Sequence, residues 1–410
     1  MNKAKPDLSI LDLPVKPRER KFRRAKLHEL LDVMAADDLL RGLLRYDEML
    51  RRAVVCGERP WEVAPSRYWT DSDSTNLRIY FERQYHLMAT NEAAASALHA
   101  YAEMNRFHPL RNYLSSLAWD GVQRIATWLV RYCGARDTPY VREAGRCFLV
   151  GAVARIFQPG CKLDTCMLLE GRQGIGKSRS IRMLAGDYYS DAMPNLDDAR
   201  TIGETTEGVW ILEHSELAGL RKHEADTVKA FLSRSEDSYR PAYGRESLVV
   251  PRQFVMVGTC NPDAEGTYLR DPTGGRRFWP VAVTACDVAA LAEDRDQLWA
   301  EAVAAFWAGQ HWWFEDAATV AQAEREVADR TQENPWLDRT ARYLDANPQA
   351  FAVKSGDVFE IAMGRPATGR DAAELRLIAS ALRDFGRVKK QTERGKEWRL
   401  PKNEPTEPSG

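Results

Sequence analysis

Gly171-Arg172-Gln173-Gly174-Ile175-Gly176-Lys177-Ser178 sets a glycine, four residues and then Gly-Lys-Ser between an apolar run, Met167-Leu168-Leu169, and a helical one, SRSIRMLAG at 178–186. That is the P-loop pattern in the strand-to-helix setting its chemistry requires. Average residue usage produces such a match by chance in about one or two per cent of chains this long. Glycines let successive backbone N–H groups turn inward around a β-phosphate, and the following helix N-terminus adds partial positive charge. Lys177 is expected to bridge the β- and γ-phosphates and the Ser178 hydroxyl to ligate magnesium. The expected phosphate-binding set is Gly171, Gln173, Gly174, Ile175, Gly176, Lys177, Ser178 and Arg179, with ATP and Mg2+ as the implied ligands. The bland alternative is a glycine-rich β-to-α turn that holds no ligand.

Hydrolysis needs acid on a second strand. Gly208 to Glu216, GVWILEHSE, is an apolar strand ending in two carboxylates three residues apart. Glu213 is expected to support the metal and Glu216 to polarise the attacking water, with the division of labour between them open. A third strand, Phe254 to Cys260, delivers Asn261 to its carboxyl end, the rim where α/β sheets hold ligands. An amide there can hydrogen-bond both the γ-phosphate and the water.

Outward from this core, RRFWPVAV at 276–283 reads as a fourth strand, and helical stretches separate the four, the pattern of a parallel α/β sheet. Upstream, apolar residues three and four apart from Leu27 to Leu50 predict an amphipathic helix. NLRIYFERQYHLM after the cap run DSDST (71–75), and NEAAASALHAYAEMN, predict two more, so the first hundred residues read as mainly helical. FHPLRNYLSSLAWDGVQRIATWLVRYCG continues as helix. Asp71 and Asp73 superficially resemble spaced catalytic aspartates but read as caps, and His108-Pro109 reads as structural.

The chain has 410 residues, 44% apolar and 29% charged, which fits two or three soluble domains rather than a disordered or membrane protein. No apolar stretch approaches the roughly 20 residues of a bilayer span. The N-terminal sequence lacks a secretory pattern, so a cytoplasmic location is expected. Seven cysteines without paired short spacing read as reduced, buried residues rather than a zinc site. Net charge is only −1, so any nucleic-acid binding must come from local patches.

The order of P-loop, acidic strand, Asn-terminated strand and then Asp271-Pro272-Thr273-Gly274-Gly275-Arg276-Arg277-Phe278-Trp279-Pro280 resembles the virulence-associated protein E family of phages, prophages and pathogenicity islands, which looks like a branch of the superfamily 3 AAA+ helicases. The likeness takes in Trp119-Asp120-Gly121, Tyr239-Arg240-Pro241 and Tyr243-Gly244-Arg245, and covers roughly 105 to 315. It implies an ATPase ring, usually a homo-hexamer, with each nucleotide held between neighbours and Arg276 and Arg277 as arginine fingers reaching the adjacent subunit. It also implies a pore hairpin gripping single-stranded DNA, with Lys229, Arg240 and Arg245 in that region. The acids depart from the family pattern: Glu213 and Glu216 stand apart, with His214 and Ser215 between them.

At the C-terminal end, LRLIASALRDFG predicts an amphipathic helix stopped by Gly386, and RVKKQTERGKEWRL two short strands around a turn at Gly395. Helix then basic hairpin is a winged-helix ending, a reader of duplex DNA or a protein-contact module. Lys389, Lys390 and Arg394 are the candidate DNA contacts. The expected organisation is a basic tail (1–26), a helical domain (27–105), a P-loop AAA+ domain (106–315), a helical linker (316–345), a winged-helix-like domain (346–402) and a polar tail. The expected activity is a Mg-ATP-driven helicase or origin-melting motor of a mobile element, with cooperation of a separate primase left open. The rivals are an ATP-driven protein-assembly or signalling switch without strand separation, and a single-subunit small-molecule kinase.

Overall fold

The computed structural model describes residues 21–61, 66–215, 222–240, 246–261, 277–330, 336–392 and 395–400. These fall into two units, one running to Asp329 and one from Arg330.

The first unit opens with β1 (Arg23–Arg24), α1 (Leu27–Ala36), β2 (Leu44–Asp47), β3 (Arg52–Val55), α2 (Asp71–Tyr85), β4 (Leu87–Met88), α3 (Asn91–Met104) and β5 (Arg106–Phe107). The helix expected from Leu27 to Leu50 stops at Ala36. Asp37 ends it by accepting from the N–H groups of Leu39 and Leu40, a local partner that competes with the helix's own carbonyls. Gly42, at φ +75, then turns the chain into β2. β2 pairs antiparallel with β3 and parallel with β5, so this module mixes strand with helix. α2 begins inside the expected cap run. Thr70 is its N-cap, with the Asp73 N–H donating to Thr70 Oγ1 and the Thr70 N–H to Asp73 Oδ2. Asp73 also accepts from Arg59 and Trp61, which accounts for it structurally.

Next come α4 (Pro109–Ser116), α5 (Trp128–Cys133) and α6 (Pro139–Phe157). A loop parts the first two where the sequence predicts continuous helix: Gly121 has φ +86, and Asp120 takes up Val122 N–H and Arg124. Thr138 caps α6 by accepting from Val141 N–H, with Pro139 at the position where its missing donor costs nothing. Then follow β6 (Cys166–Glu170), α7 (Lys177–Ala185), β7 (Tyr189–Ser190), α8 (Ala199–Thr205), β8 (Ile211–Ser215), α9 (Lys222–Leu232), β9 (Glu236–Tyr239), β10 (Leu248–Pro251), β11 (Val255–Cys260), β12 (Phe278–Ala282), α10 (Val288–Trp307) and α11 (Ala317–Asp329).

Among the described residues, β12, β6, β11, β8 and β7 form a five-stranded parallel sheet in that order. All four apolar runs read as strands lie in it. β6 and β11 are buried at every position, as inner strands covered on both faces must be. Pro280 cannot donate to a ladder and sits on β12, an edge strand, where that is tolerated. The Tyr140 hydroxyl of α6 donates to its carbonyl at 3.0 Å. Buried α6 packs close to the sheet: Trp210 Nε1 donates to Ala152 O at 2.9 Å, and the Trp210 ring lies 4.3 Å from that of Trp299 on α10. β9 and β10 form a separate antiparallel pair.

The second unit contains α12 (Leu337–Ala346), β13 (Ala352–Val353), α13 (Ser355–Met363), α14 (Ala372–Asp384), β14 (Val388–Thr392) and β15 (Gly395–Arg399). Its core gathers Trp336, Val353, Phe359, Ile378, Leu382 and Trp398. The stretch expected to be a linker contains α12, whose Tyr343 and Leu344 pack on this core. β14 and β15 pair antiparallel from Val388–Arg399 to Thr392–Gly395, and β13 joins β15 on the other side. No helix among the described residues is long and apolar enough to cross a membrane.

Candidate functional site

The glycine-rich loop runs from the end of β6 to the start of α7. Gly174 and Gly176 take φ of +83 and +98, a region that L side chains rarely adopt. A Cβ on Gly171 would lie 2.4 Å from the Val283 carbonyl oxygen, so that position needs glycine for close approach. Gly176 is the N-cap of α7 and offers no side chain to its first N–H groups, which leaves them for the cavity in front. That cavity is about 300 Å3 and is lined by Gly174, Lys177, Ser178 and Arg179 from the loop side and by Ser215, Thr259 and Asn261 from β8 and β11.

Lys177 is 7% exposed. Its Nζ donates to the carbonyls of Gly171 (2.6 Å) and Arg172 (2.9 Å) and to Asn261 Oδ1 (2.8 Å), so the loop lysine and the strand-end amide touch. Burial holds the ammonium below its usual value.

Glu213 lies within β8, two residues before its end, and is fully buried. Oε1 accepts from Ser178 Oγ at 2.6 Å and Thr259 Oγ1 at 2.7 Å, and Oε2 accepts from Tyr189 OH at 2.6 Å. Burial, then the bond to Glu213, push the Tyr189 phenol well up, so it remains a donor. A hydroxyl and a carboxylate oxygen converging on one point match what Mg2+ draws from protein when phosphates and water fill the rest of its shell. Among the described residues, no group of three or more His, Cys, Asp or Glu side chains is placed to hold a metal by itself.

The expected residues divide cleanly. Gly171, Gln173, Gly174, Ile175, Gly176, Lys177, Ser178, Arg179, Glu213 and Asn261 come together around the loop and the strand ends facing it. Arg277 does not join them: it precedes Phe278, which pairs with Cys166 at the opposite, amino end of the sheet. Its guanidinium is 4.0 Å from Asp164, and its buried Nε has no hydrogen-bond partner among the described residues. Lys229 is 6% exposed on α9, with Asp226 at 4.0 Å, whereas Arg240 is exposed just beyond β9. Lys389 and Lys390 are exposed on β14 in the second unit. Glu216, Arg245, Arg276 and Arg394 lie outside the described residues. His108 is structural, its Nδ1 accepting from Arg111 N–H at the start of α4.

Two residues that hold Glu213 went unread in the sequence. Thr259 carried a signal, a hydroxyl in an apolar strand two residues before Asn261 and hence on the same face. Tyr189 carried none, because it meets Glu213 only through the pairing of β7 with β8.

A family profile described as the virulence-associated protein E-like domain matches residues 114–334. No curated protein gives a match. Among solved structures, the A-form apo structure of the NrS-1 C-terminal region is 11% identical with a TM-score of 0.46, covering 90% of this chain and 98% of that one. A second apo structure of the NrS-1 C-terminal region is 12% identical with a TM-score of 0.46, covering 92% of this chain and 99% of that one. An inhibitor-bound JCV helicase is 11% identical with a TM-score of 0.28, covering 71% of this chain and 83% of that one.

Proposed function

The chain belongs to the virulence-associated protein E-like domain family, and from that premise we propose that it is a Mg-ATP-hydrolysing ring motor acting on DNA, a helicase or origin-melting protein of a phage or mobile element. The observation that carries the proposal is the meeting of Lys177, Asn261 and the Ser178–Glu213 pair at one cavity on the carboxyl side of adjacent parallel strands.

In this reading Lys177 exchanges its carbonyl acceptors for the β- and γ-phosphates, and Asn261, released from Lys177, orients the γ-phosphate and the attacking water. Ser178 and Glu213 would hold magnesium, whose charge compensates the phosphates. Thr259 and Tyr189 keep the Glu213 carboxylate aimed. Glu216 is the second acid, for the water. Arg277 follows no strand end near its own loop, so it and Arg276 act on a neighbour's phosphate across a subunit boundary, as a superfamily 3 AAA+ ring requires. The β9–β10 pair suits the pore hairpin, with Arg240 and Arg245 toward single-stranded DNA and buried Lys229 supporting the helix before it. α14 and the β14–β15 hairpin suit a winged-helix-like end that offers Lys389, Lys390 and Arg394 to duplex DNA.

A protein-assembly switch without strand separation has one observation in its favour, the exposure of Phe351 (60%) and Ile361 (69%) on the second unit. ATP turnover with and without single-stranded DNA, and displacement of an annealed strand, separate the two. Lys177→Ala is expected to lower turnover at least about a hundredfold while the protein stays folded, the scale of removing one preorganised donor from a developing charge. Parent-like turnover by that variant ends the ATPase reading.

A further inference from the structure

Tyr132, Cys133 and Gly134, at the end of α5, lie against residues 284–287, the segment between β12 and α10. The Thr284 N–H donates to the Cys133 carbonyl at 3.2 Å and the Asp287 N–H to the Tyr132 carbonyl at 2.7 Å. Thr284 Oγ1 donates to the Gly134 carbonyl at 3.0 Å. These bonds flank Cys286 and hold its segment beside Cys133. Cys286 also meets the phosphate loop. Its N–H donates to the Ile175 carbonyl at 2.9 Å, and a Cβ on Gly176 would lie 3.1 Å from its own Cβ. Cys133 is buried and Cys286 is partly exposed, so an oxidant from solvent meets Cys286 first.

We propose that Cys286 and Cys133 are a redox pair, and that their reversible disulfide pulls the phosphate loop out of its binding shape. The oxidant is a peroxide. The Cys286 thiolate attacks one peroxide oxygen, the O–O bond breaks, and Cys286 sulfenic acid and a water remain once the leaving hydroxide takes a proton. Cys133 sulfur then attacks Cys286 sulfur, the S–O bond breaks, and the hydroxide leaves as water with the Cys133 proton. Two thiols and one peroxide give one disulfide and two waters. The neighbouring Cys133 thiol draws the Cys286 thiol down, and Ser180 and Lys177 act in the same sense against burial, which favours the thiolate. Disulfide sulfurs stand about 2.05 Å apart, far closer than the sulfurs of two separate thiols can approach. Closing the bond therefore draws Cys286 toward Cys133, and the Ile175 carbonyl that its N–H holds must follow or let go. Intracellular disulfides are mostly of this transient, sensing kind.

The effect on nucleotide rests on the ATPase reading; the bond itself does not. The test uses the full chain, reduced and then treated with hydrogen peroxide. Non-reducing peptide mapping by mass is combined with hydrogen exchange over 171–178 and ATP affinity. The expected result is a Cys133–Cys286 cross-linked peptide two hydrogens lighter than its parts, changed exchange in the loop, and ATP affinity lowered at least about tenfold. Dithiothreitol should reverse all three, and Cys133→Ala should show none; if that variant does not fold, the reversal in the unsubstituted protein decides. No cross-link, or a cross-link that leaves loop exchange unchanged, overturns the proposal. Absence of ATP affinity in the reduced protein overturns the ATPase reading instead, while cross-link and loop exchange still decide the thiol pair.

Discussion

Ser178 Oγ donates to Glu213 Oε1 at 2.6 Å and so ties the first turn of α7 to the interior of β8 across the cavity floor. Thr259 and Tyr189 complete the set of hydroxyls on that carboxylate, so Glu213 is held by donors from three other elements. Orientation of the acid is built in before any ligand arrives.

Glu213→Gln preserves shape but replaces one acceptor oxygen with an amide NH2. Turnover is expected to fall at least about a hundredfold, and the magnesium concentration for half-maximal rate to rise. Glu216→Gln should slow turnover with ATP retained and leave the magnesium curve near the parent's. Magnesium titrations of steady-state turnover check both, and superimposable curves for Glu213→Gln and parent contradict its metal role.

Arg277 and the loop stand at opposite ends of β6, five residues long, or roughly 16 Å at the usual strand rise. Replacing Arg276 and Arg277 by Ala should therefore abolish turnover, by about 10³- to 10⁵-fold, while sparing ATP affinity. Mixing this variant with Lys177→Ala subunits should restore some activity, because an intact loop on one subunit then faces an intact arginine pair on the next. A fully active double-Ala monomer would remove both the finger and the ring.

A Cβ on Gly203 would lie 2.2 Å from the Tyr239 ring at the end of β9, and the Gly203 carbonyl accepts from Arg51 at 2.7 Å. Gly203→Ala should cost about 1 to 3 kcal/mol through overpacking, read as a lower denaturant midpoint. Gly356→Ala, with nothing within 4 Å of the added carbon, serves as the control and should be neutral to mildly stabilising.

Asp37 accepts the hydroxyls of Tyr80 and Tyr85. Burial, then the bond to Asp37, push both phenols well above their ordinary value. For Asp37 burial works upward, but the two hydroxyls and the N–H groups of Leu39 and Leu40 outweigh it and hold the carboxyl below its ordinary value. The phenols' contribution to stability is complete below about pH 10 and is lost as pH rises past it. The carboxylate's is complete above about pH 4 and is lost as pH falls below that. Urea midpoints across this range should fall at both ends, and replacing both tyrosines with Phe should flatten the alkaline decline. A parent-like alkaline slope in that variant contradicts the cluster's role.

Lys389→Glu with Lys390→Glu should weaken duplex binding and lower the log–log salt slope by about 0.9 for each phosphate the pair no longer neutralises. Filter binding across a salt series measures it. An unchanged slope moves the second unit to the protein-contact class.

The parallel sheet and most of its site were legible because their signals are local: glycines in a loop, apolar runs, and an acid or amide near a strand end. The mixed first module was not. Leu40, Leu43 and Leu44 are buried at a spacing that fits a helix, yet Asp37 and Gly42 make that stretch a turn and a strand. β4 and β5 are two residues long, too short to show a period of two. Tyr189 was hidden for a related reason, since no spacing rule links a phenol on one short edge strand to a carboxylate on the next. α12 read as linker because its surface is charged, while Trp336, which anchors the same core, follows directly after Pro335.

The backbone N and O of one strand residue point the same way. At Pro280 the first carries no hydrogen and the second is taken by the Tyr140 hydroxyl, so the middle of β12 presents neither donor nor free acceptor along its outer border. At that point of this border an added strand would find no backbone partner, so Pro280 works against edge-to-edge pairing along β12.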